Sequence, residues 1–376
     1  MRIENIEAIV LSESNIRANV ADGSQDALII RIYTDEGIVG LGEVDSSPYL
    51  VKAVIDGVRS SHLIANNIRD LLIGQDPFNV ISIWDQLYLG TMYYGRRGVV
   101  IHAMSGIDIA LWDIIGKALK RPICQLLGGA RHSKIRAYAS VLMPSTPSEV
   151  PAVVDRCLAE GFTAIKLGWG SLGENPNKTI ELVKAARSAA GKEIEILIDL
   201  GLVDGRWDVA TLVDLSKRLE EYKIFWIEEP LSPDDLEGYA RLAKAVDIRI
   251  VSGEEESTRF AFRDLLDRGQ VDVIQPDVTR VGGFTEFRRI LDMAQLRGIP
   301  VVPHGWSTGI VKAANLQILA GMSNPIFLEY CVTDSALNRK LVKNPFVVRN
   351  GFVDVPDGPG LGVDIDEDLM NRMRVR

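Results

Sequence analysis

Seven ionisable residues end short apolar runs along the chain, and their types suit acid–base chemistry around a metal ion. In chain order they are Lys166, Asp199, Glu228, Glu254, Asp277, His304 and Glu329. Buried like charges repel one another and lose hydration, so a cluster of this composition needs compensating positive charge. A bound cation is the simplest way to supply it.

Three of the acids come from successive runs, which predicts a metal site. Asp199 ends IEILIDL, Glu228 lies in IFWIEEP and Glu254 lies in IRIVSGEE. A single acid at a strand end is more often a helix cap or a solvated charge. Three at matching positions on consecutive strands instead favour a hard, oxygen-ligated divalent ion with open positions for substrate. We expect Mg²⁺.

The acids beside this set have a different expected role. Glu229 follows Glu228 directly, so it should point to the opposite face of the strand and support the site from behind. Pro230 then ends the strand. Glu255 and Glu256 are interpreted in the same way, although either remains open as the third ligand in place of Glu254.

His304, in VVPHGWSTG, is the predicted catalytic histidine. Asp277 ends the preceding run, and a carboxylate on the adjacent strand can hold the tautomer of an imidazole and raise its basicity. The other three histidines, His62, His102 and His132, have no such partner in the sequence and are interpreted as structural or surface residues.

Lys166 and Glu329 complete the predicted set, each with a simpler alternative. Lys166, in AIKLGWG, is either a solvated charge at the rim or a cation that contacts a carboxylate substrate or accepts a proton. Glu329, in FLEY, is either a salt-bridge partner or a protonated acid that donates a hydrogen bond to an enolate oxygen.

The order of the elements that position these residues is the pattern of a barrel. Eight β-rich runs alternate with amphipathic segments at 135–143, 162–168, 194–200, 224–230, 248–255, 271–277, 299–305 and 326–330. This rhythm is typical of a parallel (β/α)-type barrel, in which all strand C-termini meet at one face and carry the chemistry.

The regions before and after the barrel have their own patterns. An antiparallel hairpin is predicted around Asp35-Glu36-Gly37, and a helical pattern over 76–119, which together indicate a small α+β domain. The turn-rich end of the chain should fold back onto that domain. The predicted division is a capping domain at 1–125, a barrel at 126–330 and a returning segment at 331–376.

Composition limits the classes of partner. The 376-residue chain has a formal net charge of −9, which disfavours nucleic acid and acidic membranes. The first residues carry charges among the apolar ones, so we expect no signal peptide, and we expect no later window to approach the apolar length of a membrane span. The three cysteines fit reduced thiols. The expected compartment is the cytoplasm, and the expected partner is a small molecule.

The motifs taken together resemble the enolase superfamily, in its mandelate racemase subgroup. They are IDIALWDIIGKALKRPICQLLGG, WIEEPL, SGEE, IQPDVTRVGG, VPHG and LEY, spread over nearly the whole chain. The resemblance implies an α/β fold, a modified TIM barrel (β/α)7β with an N-terminal α+β capping domain completed by the C-terminal segment. It also implies a homo-oligomer.

The resemblance further implies roles for the seven residues. Asp199, Glu228 and Glu254 would ligate Mg²⁺, Asp277 and His304 would form a His-Asp dyad, and Glu329 would hydrogen-bond the substrate carboxylate. Superfamily sites use a Lys or His base with Mg²⁺ to stabilise an ene-diolate.

One departure from the subgroup pattern decides the expected reaction. Many members carry Lys-x-Lys on the second barrel strand, with the second lysine as a base opposite the histidine, whereas this sequence has Lys166-Leu167-Gly168. With Gly168 there, only His304 is a secure base, and racemisation generally needs two.

We therefore expect an Mg²⁺-dependent dehydratase, a hydro-lyase that converts a polyhydroxy (sugar) acid to a 2-keto-3-deoxy acid. The alternatives are a racemase or epimerase that uses Lys166 as its second base, and a metal-binding member without catalysis.

The sequence gives less information about the pocket residues that select the substrate. Substrate choice should depend on cap loops at 14–23 and 45–49. Four further residues are equally consistent with a place in the pocket or a structural role: Arg96, Arg97, Trp169 and Trp306.

Overall fold

The computed structural model describes residues 1–61, 64–202 and 204–375. His62, for which the sequence predicts a structural or surface role, lies outside the described residues. The other two histidines with that prediction have local partners: His102 Nδ1 lies 2.9 Å from Ser46 Oγ, and His132 Nε2 lies 3.1 Å from the carbonyl oxygen of Met322. Burial lowers the pKa of His102 to about 4, which keeps it neutral.

The chain begins with a three-stranded antiparallel sheet and a group of helices. Its strands are β1 (Ile3–Ser12), β2 (Asp26–Thr34) and β3 (Val39–Val44). Its helices are α1 (Pro48–Asp56), α2 (Ile68–Leu72), α3 (Val80–Thr91), α4 (Val99–Leu119) and α5 (Ile123–Leu126). Strands β2 and β3 pair from Tyr33 opposite Val39, which confirms the predicted hairpin.

Alternating strands and helices follow. In chain order they are β4 (Lys134–Leu142), α6 (Val150–Ala159), β5 (Ala164–Gly168), α7 (Pro176–Ala190), β6 (Glu195–Asp199), α8 (Val209–Leu219), β7 (Ile224–Glu228), α9 (Leu236–Ala245), β8 (Arg249–Ser252), α10 (Thr258–Asp264), β9 (Val273–Ile274), α11 (Gly283–Arg297), α12 (Gly309–Gly321) and β10 (Leu328–Cys331). Strands β4 to β9 pair in parallel in this order, and β10 pairs in parallel with β4, so the sheet closes into a barrel.

The seventh predicted strand is the least regular. Over 299–305 the chain makes two parallel bridges, Val301 with Ile274 and Asp277 with His304, rather than a continuous ladder. In the described part of the chain, seven helices, α6 to α12, connect the eight barrel segments. The predicted modified (β/α)7β barrel is therefore confirmed.

The end of the chain contacts both parts of the molecule. Its elements are α13 (Ala336–Lys340), β11 (Val348–Arg349), β12 (Phe352–Asp354) and α14 (Glu367–Met373). Strand β12 pairs antiparallel with β4, and the amide of Val375 donates to the carbonyl oxygen of Val10 in β1 (2.9 Å). The boundaries at 125/126 and 330/331 stay a prediction.

Helix α4 connects the N-terminal sheet to the barrel and corrects one expectation. It is 21 residues long and apolar enough to span a membrane by length and composition, contrary to the expectation that no segment approaches that limit. However, 89% of its most apolar window is buried inside the protein. Polar groups on its barrel side bond α11: Asp108 Oδ2 accepts from the amide of Thr285 (2.9 Å), and Trp112 Nε1 donates to Thr285 Oγ1 (3.1 Å).

Candidate active site

Five of the seven predicted site residues lie two positions beyond an apolar residue of the barrel interior. One such apolar residue comes from each barrel segment, and together they form one buried cluster: Tyr138, Ala164, Leu197, Trp226, Val251, Val273, Val302 and Phe327. Side chains two apart on a strand share a face. The next layer therefore contains the following polar residues: Lys166, Asp199, Glu228, His304 and Glu329.

The three predicted metal ligands meet in this layer. Strand register places Asp199 beside Glu228. Glu254 follows Gly253, whose φ of +132° turns the chain after β8 toward the same point. Each residue offers a carboxylate oxygen, and these oxygens lie within 4.8 Å of one another. All three residues are at least nine-tenths buried.

The chemistry of this donor set fits a divalent ion. Burial and the nearby carboxylates raise the pKa of Asp199 well above its ordinary value and also raise the pKa of Glu228, because the charged forms are crowded together away from water. Three buried carboxylate oxygens within reach of one point are the ligands that Mg²⁺ prefers. The residues present therefore fit a magnesium site.

Lys166 lies among the same carboxylates and not at a solvated rim. Only 3% of its side chain is exposed. Its ammonium donates to Glu228 and lies 2.8 Å from Glu329 Oε1 and 3.5 Å from Asp199 Oδ2. Burial lowers its pKa, but Glu228 and Glu329 outweigh burial and raise the pKa above the ordinary value. The structure therefore places Lys166 as a buried partner of three carboxylates.

His304 and Asp277 form the predicted pair. The bridge between their backbones brings His304 Nδ1 to 2.6 Å from Asp277 Oδ2. The second oxygen of Asp277 accepts from the amide and hydroxyl of Thr279, at 2.7 and 2.6 Å. Asp277 is thereby held in place, and His304 Nε2 is left to face Glu254 Oε2 at 3.4 Å. Burial lowers the pKa of His304, while Glu254, Glu329 and Asp277 raise it, to about 10.

Comparison with known protein families shows which superfamily the chain belongs to. Residues 6–128 match the family described as Mandelate racemase / muconate lactonizing enzyme, N-terminal domain, and residues 149–369 match the family described as Enolase C-terminal domain-like. The chain belongs to the enolase superfamily. Within the superfamily it falls in the mandelate racemase and muconate lactonizing enzyme group, as its motifs indicated.

Relatives and a solved structure cover most of the chain. A D-galactarolactone cycloisomerase from Agrobacterium fabrum is 34% identical over 93% of this chain and 91% of its own length. A D-galactonate dehydratase from Pectobacterium atrosepticum is 36% identical over 91% of this chain and 90% of its own. A racemase from Streptomyces coelicolor, solved with bound magnesium, has a TM-score of 0.87 at 26% identity and covers 99% of this chain and 100% of its own.

Glu329 makes the salt-bridge contact that the sequence left open as its simpler alternative. Its carboxylate accepts from Ser140 Oγ (2.7 Å) and from the amide of Gly305 (2.9 Å), and it contacts Lys166. Burial raises its pKa, but Lys166 and His304 lower it to about 2. Three donors therefore surround the Glu329 carboxylate, and its role as a protonated donor to an enolate oxygen stays a prediction. Glu329 holds Lys166 and the chain after His304.

Glu229 supports the site from behind, in the place predicted for it. Its carboxylate accepts from Tyr239 Oη (2.8 Å), Ser252 Oγ (3.1 Å) and the amide of Gly253 (2.8 Å). These bonds fix the segment that presents Glu254. Neither Glu255 nor Glu256 joins the described three-carboxylate cluster.

Gly168 allows Asp199 to approach the strand. The two residues are paired in register, and a Cβ at Gly168 would lie 3.0 Å from Asp199 Oδ2. A longer side chain there would displace Asp199 or point past it.

A cavity of about 320 Å³ opens beside the site. Trp169 and Trp306, which the sequence left undecided, contribute to its wall, whereas Arg96 and Arg97 do not. Arg97 instead lies 4.0 Å from Glu256.

Sequence reasoning did not identify Asp45 or Arg280 as charged residues of the cavity wall, and it gave Glu255, which also lies there, only a supporting role or a possible place as third ligand. Asp45 begins a cap loop for which a role in substrate choice is predicted, and Arg280 lies in the quoted motif IQPDVTRVGG. Their positions in those motifs were therefore the available signal, but no strand-end pattern marks them.

Proposed function

We propose that this protein is a Mg²⁺-dependent hydro-lyase that dehydrates a polyhydroxy acid to a 2-keto-3-deoxy acid. The observation that carries the proposal is the arrangement of three buried carboxylates next to a single His-Asp pair, with glycine at the position of a second base. The proposed metal ligands are Asp199, Glu228 and Glu254. The names of the related dehydratase and cycloisomerase support an acid sugar as substrate.

His304 acts as the base in this proposal. Its Nδ1 is held by Asp277, so Nε2 is the atom that faces the reacting carbon. A bound Mg²⁺ would neutralise carboxylates that include Glu254, which raises the pKa of His304, and would supply positive charge to the substrate carboxylate. With that carboxylate neutralised, the pKa of His304 would fall and Nε2 would be free to accept a proton. Nε2 then takes the proton alpha to that carboxylate, and the electron pair of the C–H bond enters an ene-diolate.

Elimination completes the reaction at the same histidine. The ene-diolate collapses with cleavage of the β C–O bond, and the imidazolium returns its proton to the leaving hydroxyl, which departs as water. The resulting enol becomes the 2-keto acid by tautomerisation. Lys166 contributes positive charge at the carboxylate end, and Glu329 holds it there.

The predicted racemase alternative needs a second base, and the contacts of Lys166 disfavour it. Its ammonium is bonded to carboxylates, and its pKa is raised and not lowered. Cycloisomerisation is a second candidate because one relative carries that name. It would begin with the same proton removal but expel a ring oxygen in place of a hydroxyl.

The experiment is a screen of mono- and diacid sugars and their lactones with and without Mg²⁺, in which 2-keto products are detected. Dehydration predicts a 2-keto product, dependence on Mg²⁺ and loss of turnover in His304→Asn. Exchange of the alpha proton into deuterated solvent without loss of water would favour a racemase. Normal Mg²⁺ binding with no turnover of any acid sugar would favour the non-catalytic alternative.

A further inference from the structure

The cap loop and the His-Asp pair are joined by hydrogen bonds through Thr279. The amide of Asp45, the residue that follows β3 of the cap, donates to Thr279 Oγ1 (3.1 Å). The Thr279 hydroxyl donates to Asp277 Oδ1 (2.6 Å), and Asp277 Oδ2 lies 2.6 Å from His304 Nδ1. A continuous series of hydrogen bonds therefore runs from the cap loop to the proposed base.

The direction of these bonds follows from the chemistry of the Thr279 hydroxyl. A hydroxyl has one proton to donate and two lone pairs that accept, whereas a backbone amide only donates. The bond from Asp45 therefore occupies an acceptor position of Thr279 Oγ1 and leaves the proton for Asp277. A hydrogen bond to an ionised carboxylate is stronger than one between neutral groups. The contact with the cap thus favours the orientation in which Thr279 holds Asp277.

Arg280 holds the cap loop in this contact. Its Nε donates to the carbonyl oxygen of Asp45 (2.9 Å), and its Nη2 donates to Asp45 Oδ2 (3.1 Å). Its Nη1 donates to the carbonyl oxygen of Glu254 (3.1 Å). The rigid fork of an arginine makes such a set of bonds, and the single ammonium of a lysine does not. One side chain therefore fixes the cap loop against the segment that presents a proposed metal ligand.

The cap loop lies directly beside the pair that it would influence. Asp45, Asp277 and His304 each offer one oxygen or nitrogen atom, and these atoms lie within 4.8 Å of one another. Thr279 itself is fully buried and is not among the described residues that line the active-site cavity. Any effect of Thr279 on catalysis must therefore pass through Asp277 and not through contact with the substrate.

Resting on the proposed function, we infer that Thr279 is a positioning residue for His304, and that its action depends on the cap loop being held at Asp45 by Arg280. The hydroxyl of Thr279 orients Asp277, and Asp277 in turn orients the imidazole that removes the proton. Displacement of Asp45 would free the hydroxyl to rotate, so proton removal is coupled to the contact between the cap and the barrel.

Two substitutions at Thr279 separate its hydroxyl from its shape. Thr279→Val keeps the branched side chain and should lower kcat about tenfold or more, the scale of a hydrogen bond to a charged group. KM and the Mg²⁺ dissociation constant should not change, because Thr279 contacts neither the cavity nor the proposed metal ligands. Thr279→Ser restores the hydroxyl and should recover most of the lost kcat.

Thr285→Val is the matched control for the loss of a buried threonine hydroxyl. Thr285 is buried where α4 meets α11, and its Oγ1 accepts from Trp112 Nε1 (3.1 Å). The substitution therefore also weakens a contact between the cap and the barrel, but at a place without a bond to Asp277. It should leave kcat unchanged.

A spectroscopic measurement tests the orientation without any turnover. The proton between His304 Nδ1 and Asp277 Oδ2 lies in a short bond and should give a downfield proton resonance in the wild type with saturating Mg²⁺. Its absence from His304→Asn assigns it. The resonance should move upfield in Thr279→Val and should stay in place in Thr279→Ser and Thr285→Val.

Arg280→Lys tests the dependence on the cap loop. Lysine keeps the positive charge but cannot donate to Asp45 and Glu254 in the manner of the guanidinium. We expect kcat to fall and the resonance to move in the same direction as in Thr279→Val. Because both substitutions break one connection, Arg280→Lys combined with Thr279→Val should lose less than the product of the two separate losses.

An unchanged kcat and an unmoved resonance in Thr279→Val would overturn the inference, and so would an equal loss of kcat in Thr285→Val. Fully multiplicative losses in the combined variant would overturn the dependence on the cap loop. The resonance is observed whether or not an acid sugar is turned over, so the two proposals fail separately. A resonance that responds as expected without turnover rejects the lyase and supports the positioning role, and turnover with an unresponsive resonance does the reverse.

Discussion

Glu43, at the end of the cap's third strand, joins the cap to the chain that follows His304, and its titration should be visible in stability. The side chain is fully buried. Its carboxylate accepts four hydrogen bonds, from Ser307 Oγ (2.7 Å), Thr308 Oγ1 (2.9 Å), the amide of Thr308 (3.2 Å) and the amide of Val311 (2.8 Å). Both amides belong to the start of α12, where backbone N–H groups otherwise lack partners.

The change is Glu43→Gln, which keeps the size of the side chain and removes its titration. Burial raises the pKa of Glu43 from 4.5 to about 7, against the lowering effect of Ser307 and Thr308. Asp45 adds to the rise, and Lys312 is the nearby cation that interacts with Glu43. Because the folded-state pKa is the higher one, the contribution of Glu43 to stability is complete below pH 4.5 and is lost as pH rises through about 7.

The magnitude follows from that difference in pKa. The full difference is worth about 3 kcal/mol, and about 2.5 kcal/mol of it falls between pH 5 and pH 8.5. The glutamine variant has no such dependence. The unfolding free energy of the wild type, taken relative to that of the variant, should therefore fall by about 2.5 kcal/mol between pH 5 and pH 8.5.

Urea denaturation followed by tryptophan fluorescence, at pH 5 and pH 8.5, measures the difference for both proteins. Glu367→Gln, a half-exposed glutamate paired with Arg31, is the control and removes the same charge from the surface. Subtraction removes the titration of the groups common to both proteins. A difference that grows with pH would refute the reasoning, because Glu43 would then be ionised and stabilised by its four donors.

Three further results are expected at the site. His304→Asn should lower kcat at least about 100-fold, because the base is lost, while calorimetry shows Mg²⁺ affinity nearly unchanged; normal activity would show that the base is assigned wrongly. Gly168→Ala should raise the Mg²⁺ dissociation constant about tenfold, since its Cβ would crowd Asp199, and unchanged affinity would argue against that contact. Mg²⁺ at 100 times its dissociation constant should raise the unfolding free energy by about 2.7 kcal/mol over protein treated with chelator, and thermal melts that do not respond to Mg²⁺ would count against the site.

The mechanism depends on how the strands align. Asp277 and His304 are 27 positions apart in sequence, yet one backbone bridge places their side chains in contact. Register likewise places Gly168 beside Asp199 and Asp199 beside Glu228. A slip of one residue in any of these pairs would turn a functional side chain away from the barrel interior.

The sequence by itself determined the barrel and the membership of the polar layer. Short β-rich runs and a repeat of one strand and one helix are local properties, and the polar residue that closes each run marks the end of its strand. Because parallel strand ends meet at one face of a barrel, Asp199, Glu228 and His304 could be brought together without coordinates.

Only the tertiary structure decided the electrostatics of the site and the contacts between the cap loop and the barrel. The lowered pKa of Glu329 depends on Lys166 and His304, and the pairing of Arg280 with Asp45 joins residues 235 positions apart. Such contacts leave no periodic signal, because each depends on how the cap loops and the barrel pack together. Electrostatic effects act over a few ångströms in space, so they could be assigned only after the fold had set those distances.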